Sequence, residues 1–381
     1  MKLTERRKTK KTKALNFKRR QDPAIKKIDL AGDYYEMGQQ HGQQVSDLRS
    51  HIVAAIDARL TILAQVQVNI EPIIVEISSL WDETARPTKA MLRGIADALA
   101  LEWESFFRYT ISSDILDRIQ YRHSENQGCT TWAAAGSITQ GGYPILAKNR
   151  DYRSNHQQLQ CLVQAHPNHG YRYSYLTSAG SPGVFSSGMN EAGLAAADTH
   201  VSSLDIGPGL PRYASMMEVL EHHDNVSSAL DYLQANKHTG NGTITLLDAE
   251  GDMAVFETGN TFSSTIQSDE GFVVSTNHFV SPQLSKLWKD KNEHKYRGNS
   301  TGRYARVREE LLEAKGEVDV QWAKGLMTSH GNPQNAICRH RQVAAPNSTT
   351  ISSILFLPGE KRLHLSNGSP CTTEFHILSL N

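Results

Sequence analysis

From Cys129 to about Leu204 the chain is a succession of short strand-like runs separated by Gly/Asn turns, and this stretch limits the available folds more than any other. "CTTWAAAGSI" passes through "GG" into "YPILAKNRDY", and "QCLVQAH" passes through "PNHG" into "RYSYLTS". Each pattern predicts a hairpin. A second strand block covers "GTITLLDAEGDMAVFET", turned at Glu250-Gly251, and "GFVVSTNHF"; "TTISSILFLP", "RLHLSN" and "TEFHILSL" close the chain. Helical patterns lie before, between and after these blocks. Upstream, "AIKKIDLAGDYYEMGQQHGQQ" reads as a strand, a turn at Gly32-Asp33 and a helix start. Ile52, Ile56, Leu60 and Leu63, then Leu92, Ile95 and Leu99, recur at helical spacing, and Pro72 and Pro87 fit first turns. Two short helices are expected over "YASMMEVLEHHDNVSSALDYLQANK", and two more over "TGRYARVREELLEAKG" and "VQWAKGLMTS". Hairpins with helices around them predict antiparallel sheets covered by helices, an α+β class. The alternating βα order of a doubly wound sheet is missing, and no GxGxxG or P-loop follows a strand, so no nucleotide cofactor is expected.

The 381 residues, 39% of them hydrophobic, suffice for a sizeable core. Residues 1–20 carry ten Lys/Arg and one acid, Glu5, while the other 361 hold 30 basic and 39 acidic residues. A solvated, disordered tail over 1–24 is expected, with nucleic-acid or other anion binding through it as the sharper alternative. It has no apolar core of a secretory signal, and no run approaches the roughly 18 apolar residues of a membrane span. Four scattered cysteines without a CxxC fit a reducing compartment, so a cytoplasmic location is expected. His222-His223, His278, His330 and His340 show no metal-ligand spacing, and no metal is expected.

Cys129 stands behind Gly128 at the head of a strand, in "NQGCTTWAAAG". Papain-like sites carry the cysteine on a helix, which this rhythm does not suit. If the Gly128–Cys129 bond is cut, Cys129 gains an α-amine with a reference pKa of about 7.7–8.0, a base covalently fixed to its own nucleophile. Glycine also tolerates a distorted scissile peptide. The same Cys-Thr-Thr occurs at Cys371, but behind Pro370 and with only 11 residues left to build a site, so the tripeptide alone is weak and Cys371 reads as structural. Cys161, in a strand-like run, reads as packed.

The company of Cys129 carries a family resemblance. "GCTT" at Gly128–Thr131, "NRD" at Asn149–Asp151, "DYYEMGQQHG" at Asp33–Gly42, "SGMNEAGLA" at Ser187–Ala195, "STNHF" at Ser275–Phe279, "AICRH" at Ala336–His340 and "SNGSP" before the last strand occur in order. From about residue 26 to the C-terminus the chain resembles the isopenicillin N acyltransferase-like branch of the N-terminal nucleophile hydrolases. The resemblance implies a four-layer αββα sandwich, self-cleavage into segments 25–128 and 129–381 of one 25–381 domain, and amide C–N chemistry. It implies Cys129 as nucleophile and its α-amine as base, Asp151 beside the amine, Asn277 as oxyanion donor and Arg339 near the nucleophile. Arg150 is placed at the substrate mouth, and Asn190, with Gly188 and Gly193, is read as a turn residue. The hairpin, 22 residues from Cys129 to Asp151, is longer than in several relatives.

The expected partner is a small amide such as an N-acyl amino acid, hydrolysed through an acyl-Cys129 thioester. Acyl-CoA-dependent transfer is the alternative within enzymes. An uncleaved, inactive member that binds anions or nucleic acid through its basic tail is the alternative of another class.

Overall fold

Strand β1 (Lys26–Gly32) ends where Asp33 starts helix α1 (Tyr34–Gln44). The Asp33 carboxylate accepts from the Glu36 N–H and the Glu36 carboxylate from the Asp33 N–H, a reciprocal cap of the first turn. The computed structural model describes residues 25–121, 128–268, 270–290, 297–340 and 348–380. The tail expected over 1–24 lies outside them.

The helical block continues with α2 (Arg49–Ala64), α3 (Glu71–Thr84), α4 (Arg86–Ala98), α5 (Trp103–Thr110) and α6 (Ser112–Arg118). Helix α2 buries Ile52, Ile56 and Leu63, as their spacing predicts, and Pro72 and Pro87 occupy the first turns of α3 and α4. Helices α1 and α4 pack backbone to backbone. A Cβ at Gly38 would stand 2.2 Å from the Met91 carbonyl oxygen, and one at Gly94 2.2 Å from that of Tyr35. This close approach gives the glycines of "EMGQQHG" a packing role.

The strands then follow as β2 (Thr130–Gly136), β3 (Gly142–Tyr152), β4 (Gln160–Pro167), β5 (Tyr173–Ser178), β6 (Ser187–Asn190) and β7 (Ala195–His200). After α7 (Arg212–His222) and α8 (Val226–Ala235) come β8 (Gly242–Leu247), β9 (Met253–Thr258), β10 (Ser263–Gln267) and β11 (Phe272–Ser275). Helices α9 (Asn299–Glu313) and α10 (Val320–Met327) precede β12 (Thr349–Leu357), β13 (Arg362–Ser366) and β14 (Phe375–Ser379). One sheet has the order β1-β4-β5-β6-β7-β8-β9-β10, the other β11-β2-β3-β12-β13-β14. The expected hairpins β2–β3, β4–β5 and β8–β9 are antiparallel pairs. The β1–β4 pair is parallel, which hairpin logic does not anticipate. Parallel neighbours need a long crossover, and here six helices and the β2–β3 hairpin intervene.

Three apolar layers make this an αββα sandwich. Helices α1–α8 meet the first sheet through residues such as Ile56, Trp81, Phe106, Val163, Tyr175, Leu220 and Phe256. Between the sheets lie Ala133, Leu146, Leu176, Met189, Val255, Ile354 and Phe356. Trp132, Ala134, Ala147 and Leu355 face α9 and α10 through Val307, Leu311 and Met327. Side chains alternate across a strand, so on β2 the odd positions point between the sheets and the even ones toward α9. The Thr131 and Thr199 hydroxyls, 3.2 Å apart, bridge β2 to β7 across the inter-sheet space.

Candidate active site

Cys129 immediately precedes β2 and continues its odd-numbered face, so its thiol points between the sheets. It is 9% exposed, and its Sγ lies 3.8 Å from the Asp151 carbonyl oxygen on the paired strand. The cleft above it is lined by Lys148, Arg150, Tyr152, Asp198, His200 and Tyr213, among others. Burial raises the thiol pKa; Lys148 opposes this and Asp151 reinforces it. The uncut chain therefore holds a protonated thiol that needs a base.

Asp151 and Arg339 meet on the other side of the Gly128–Cys129 peptide. Arg339 Nη1 is 3.5 Å from Asp151 Oδ2, and each residue is 1% exposed. The Thr350 hydroxyl donates to Asp151 Oδ1 at 2.6 Å and accepts from the Arg339 N–H at 2.8 Å. Thr350 also pairs with Asp151 in the β12–β3 ladder, at a register shift between Thr350 and Ser352. A bulge of this kind re-aims side chains. Burial pushes the Asp151 carboxyl pKa up, against the opposing pull of Arg339, Arg303 and the Thr350 bond. A new cation beside it, such as a freed α-ammonium, would favour its ionised form.

Gly128 has a reason the sequence did not display. A Cβ there would lie 1.2 Å from Arg339 Nη1 and 2.7 Å from Asp151 Oδ2. The residue before Cys129 is small because the ion pair occupies the space of a side chain. Gly128→Ala is expected to displace Arg339 and slow any scission by at least about tenfold, since misplacement by about 1 Å can cost a hundredfold. Intact mass against time measures this, and unchanged kinetics would refute the steric argument.

Asn277 follows β11. Its Nδ2 donates to the His200 carbonyl at 2.8 Å, and its Oδ1 accepts from Arg303 Nη2 at 2.7 Å. One of its two amide hydrogens is thus engaged, and the second is left to donate. Arg303 is the residue that sequence reasoning missed. Only 1% exposed, it sends Nη1 to the Cys129 carbonyl at 2.6 Å and to Thr130 Oγ1 at 2.9 Å, while Nε donates to Asn299 Oδ1 at 2.9 Å. One guanidinium therefore spans Cys129 and Asn277. The available signal was register, because Arg303 lies in line with the buried Val307 and Leu311 of α9.

Arg150 lines the cleft, donating to the Thr177 carbonyl at 3.1 Å and the Ser178 hydroxyl at 2.8 Å. Arg59 and Arg153 line it too. Burial, then Arg153, Arg150 and Arg59, together lower the His156 pKa to about 3, so three guanidinium groups bear on one neutral imidazole. Opposite them, Lys148 Nζ donates to Asp198 Oδ1 at 2.5 Å and Arg212 Nε lies 3.4 Å from Asp198 Oδ2. Burial alone would raise the Asp198 pKa, but Lys148 and Arg212 hold it low. Asn190 is structural, accepting from the Leu194 N–H and donating to the Leu220 and His223 carbonyls.

The floor of the cleft carries a pH-dependent stability contribution. Burial lifts the Asp114 carboxyl from 3.8 to about 6, against the pull of its Asn241 hydrogen bond. A folded pKa above the unfolded one stabilises the fold fully below the unfolded value, and that stabilisation is lost as pH rises through about 6. Asp114→Asn should be near neutral at about pH 4 and stabilising by on the order of 1–3 kcal/mol at about pH 8. Urea midpoints at the two pH values test this; an equal shift at both would refute it.

The family model for acyl-coenzyme A:6-aminopenicillanic acid acyl-transferase matches residues 138–371. The chain belongs to this family. Arg150, Asp151, Asn277, Arg303 and Arg339 lie inside the span matched by the acyl-transferase model, and Cys129 precedes it. Among solved structures, a variant of the conjugated bile acid hydrolase from Clostridium perfringens is similar at 14% identity, covering 66% of this chain and 97% of its own, with a TM-score of 0.44. The penicillin V acylase from Agrobacterium tumefaciens is similar at 17% identity, covering 66% and 86%, with a TM-score of 0.45. No curated protein matches the chain. No helix among the described residues is long and apolar enough to cross a membrane.

Proposed function

We propose that this acyl-transferase family member is a self-processing cysteine amidohydrolase that cuts its own Gly128–Cys129 bond and then hydrolyses a linear amide bearing a carboxylate, such as an N-acyl amino acid. The observation that carries the reading is the setting of the Gly128–Cys129 peptide. It lies against the buried Arg339–Asp151 pair on one side, while the thiol faces a cationic cleft on the other.

In the precursor the Cys129 sulfur attacks the Gly128 carbonyl carbon, the peptide C–N bond breaks as the thiol proton passes to the departing nitrogen, and water hydrolyses the resulting thioester. The product is a Gly128 carboxylate and a free Cys129 amine. In the mature enzyme that amine takes the thiol proton and the thiolate attacks the substrate carbonyl. The free N–H of Asn277 stabilises the tetrahedral oxyanion, a contribution of about 2.7–4 kcal/mol for a well-placed donor. The α-ammonium returns its proton to the leaving amine, and water then releases the acyl group from sulfur. Arg303, holding the Cys129 carbonyl and the Asn277 amide oxygen together, sets the distance between nucleophile and oxyanion donor. Asp151 holds the amine, and Arg150 with its arginine neighbours takes the carboxylate.

A panel of N-acyl amino acids and their methyl esters tests the substrate class. Free acids should be preferred at least about tenfold in kcat/KM, and Arg150→Met should erase most of that preference through KM. Equal rates for acids and esters would sink the carboxylate assignment. Transfer from acyl-CoA to an amine is the second reading, favoured by the family's description. It predicts amide formation that outpaces hydrolysis when both acyl-CoA and an amine are supplied.

A further inference from the structure

His330, Cys338 and His340 lie on the segment that follows α10, and Cys371 lies 31 residues beyond His340, in the turn before β14. No regular ligand spacing marks this set in the sequence, where no metal is expected. In the fold one ligand atom from each residue lies within 4.8 Å of every other. His340 Nε2 is 3.1 Å from His330 Nε2, 3.1 Å from Cys371 Sγ and 3.6 Å from Cys338 Sγ. Tetrahedral zinc, with Zn–N of about 2.0–2.1 Å and Zn–S of about 2.3 Å, has ligand–ligand edges of roughly 3.3–3.8 Å. The three edges that meet at His340 Nε2 are close to these lengths, and no other pair of ligand atoms is more than 4.8 Å apart.

We propose that His330, Cys338, His340 and Cys371 form a structural zinc site. Two thiolates and two imidazoles suit zinc, and they exclude magnesium and calcium, which take oxygen ligands. Four protein donors close the shell, so the ion has no open position for a substrate and no part in the amide chemistry. Cys338 is buried and the other three ligands are half-buried. Binding displaces the two thiol protons to solvent and forms two Zn–S and two Zn–N bonds.

The position gives the ion a clear structural effect. Cys338 and His340 flank Arg339, whose own N–H and carbonyl are held by Thr350. The Cys338 N–H donates to the Ser329 carbonyl, and Cys371 belongs to a turn in which the Thr372 and Thr373 N–H groups donate to the Ser369 carbonyl. The ion would fasten these two segments together on both sides of Arg339. It would do what a disulfide does in an oxidising compartment, with ligands that tolerate a reducing one.

The test uses the full chain carrying Cys129→Ala, which removes the cleft thiol and makes the readout independent of activity. Metal content as purified should be about one zinc per chain, and Co²⁺ added to the stripped, reduced protein should give thiolate-to-cobalt charge-transfer absorption saturating near one equivalent. Cys371→Ser should cut that absorption by about half and weaken cobalt binding at least about tenfold, while Cys161→Ser should change neither. Spectroscopy of the unsubstituted ligand set decides the matter even if Cys371→Ser folds poorly. Absence of charge-transfer absorption, its persistence unchanged in Cys371→Ser, or a Cys338–Cys371 disulfide in non-reduced peptide maps would overturn the assignment.

Discussion

Cys129→Ala is expected to leave one species of 42.3 kDa, whereas the unaltered chain should yield pieces of about 14 and 28 kDa, the larger beginning at Cys129. In the proposed mechanism both the sulfur that opens the Gly128 carbonyl and the amine released by that event belong to Cys129, so the substitution would remove nucleophile and base together. Amide hydrolysis should fall by at least about 10⁴-fold, to what the oxyanion donor and substrate binding alone support. Cys129→Ser keeps an attacking atom and should process slowly, because a hydroxyl beside the same amine is a weaker nucleophile than a thiol. Intact mass under denaturing conditions, followed by rates on an N-acyl amino acid panel, reads both effects. Full activity in Cys129→Ala would sink the mechanism. A single uncut species from both proteins would instead point to an inactive relative, and the basic tail would then be tested for anion binding.

Arg303→Lys should have the next largest effect. The arginine makes four hydrogen bonds in the site, including those that tie the Cys129 carbonyl to the Asn277 amide oxygen. Burial and then the neighbouring Arg339 bring its pKa down to about 9, with Asp151 and Cys129 pulling the other way. The group therefore keeps its charge at neutral pH. Lysine preserves the charge but not the planar fork, so Asn277 loses its fixed orientation. We expect kcat to fall about 10²–10³-fold with KM little changed, the pattern of a lost transition-state interaction. Arg303→Ala should add a stability loss of about 3–5 kcal/mol, since it strips partners from buried polar groups. A fall in KM-controlled binding alone, with kcat intact, would show that Arg303 acts on substrate affinity rather than on the oxyanion.

The roles assigned to Asp151 and Arg339 rest on an ion pair that neither residue signals locally. Asp151 ends a strand and Arg339 sits in a loop 188 positions later, and they meet because β12, which pairs with β3, also carries Thr350 to both. Separation in sequence, here 31 positions between His340 and Cys371, also hides the proposed zinc ligands, whose spacing has no period because two backbone segments, not one motif, supply them. Arg303 was hidden differently. Its helix was legible from hydrophobic spacing, but its polar side chain sits on the face that spacing reserves for the core.

Local rules sufficed for the elements themselves. The strand-like runs "TTWAAAG" and "ILAKNRD", the Gly turns between them, and the proline-started helices each follow from a few neighbouring residues, and those residues are all that dihedral preference and amphipathic burial consult. Pairing was another matter. That β1 lies parallel to β4, that Thr350 lies opposite Asp151, and that Arg339 fills the space beside Gly128 depend on how the two sheets and helices α1–α10 close on one another. These are long-range contacts, favourable only once the layers bury their apolar faces. The sequence alone therefore determined the pieces and the place of Cys129 at the head of a strand, and the tertiary structure decided which charges surround it.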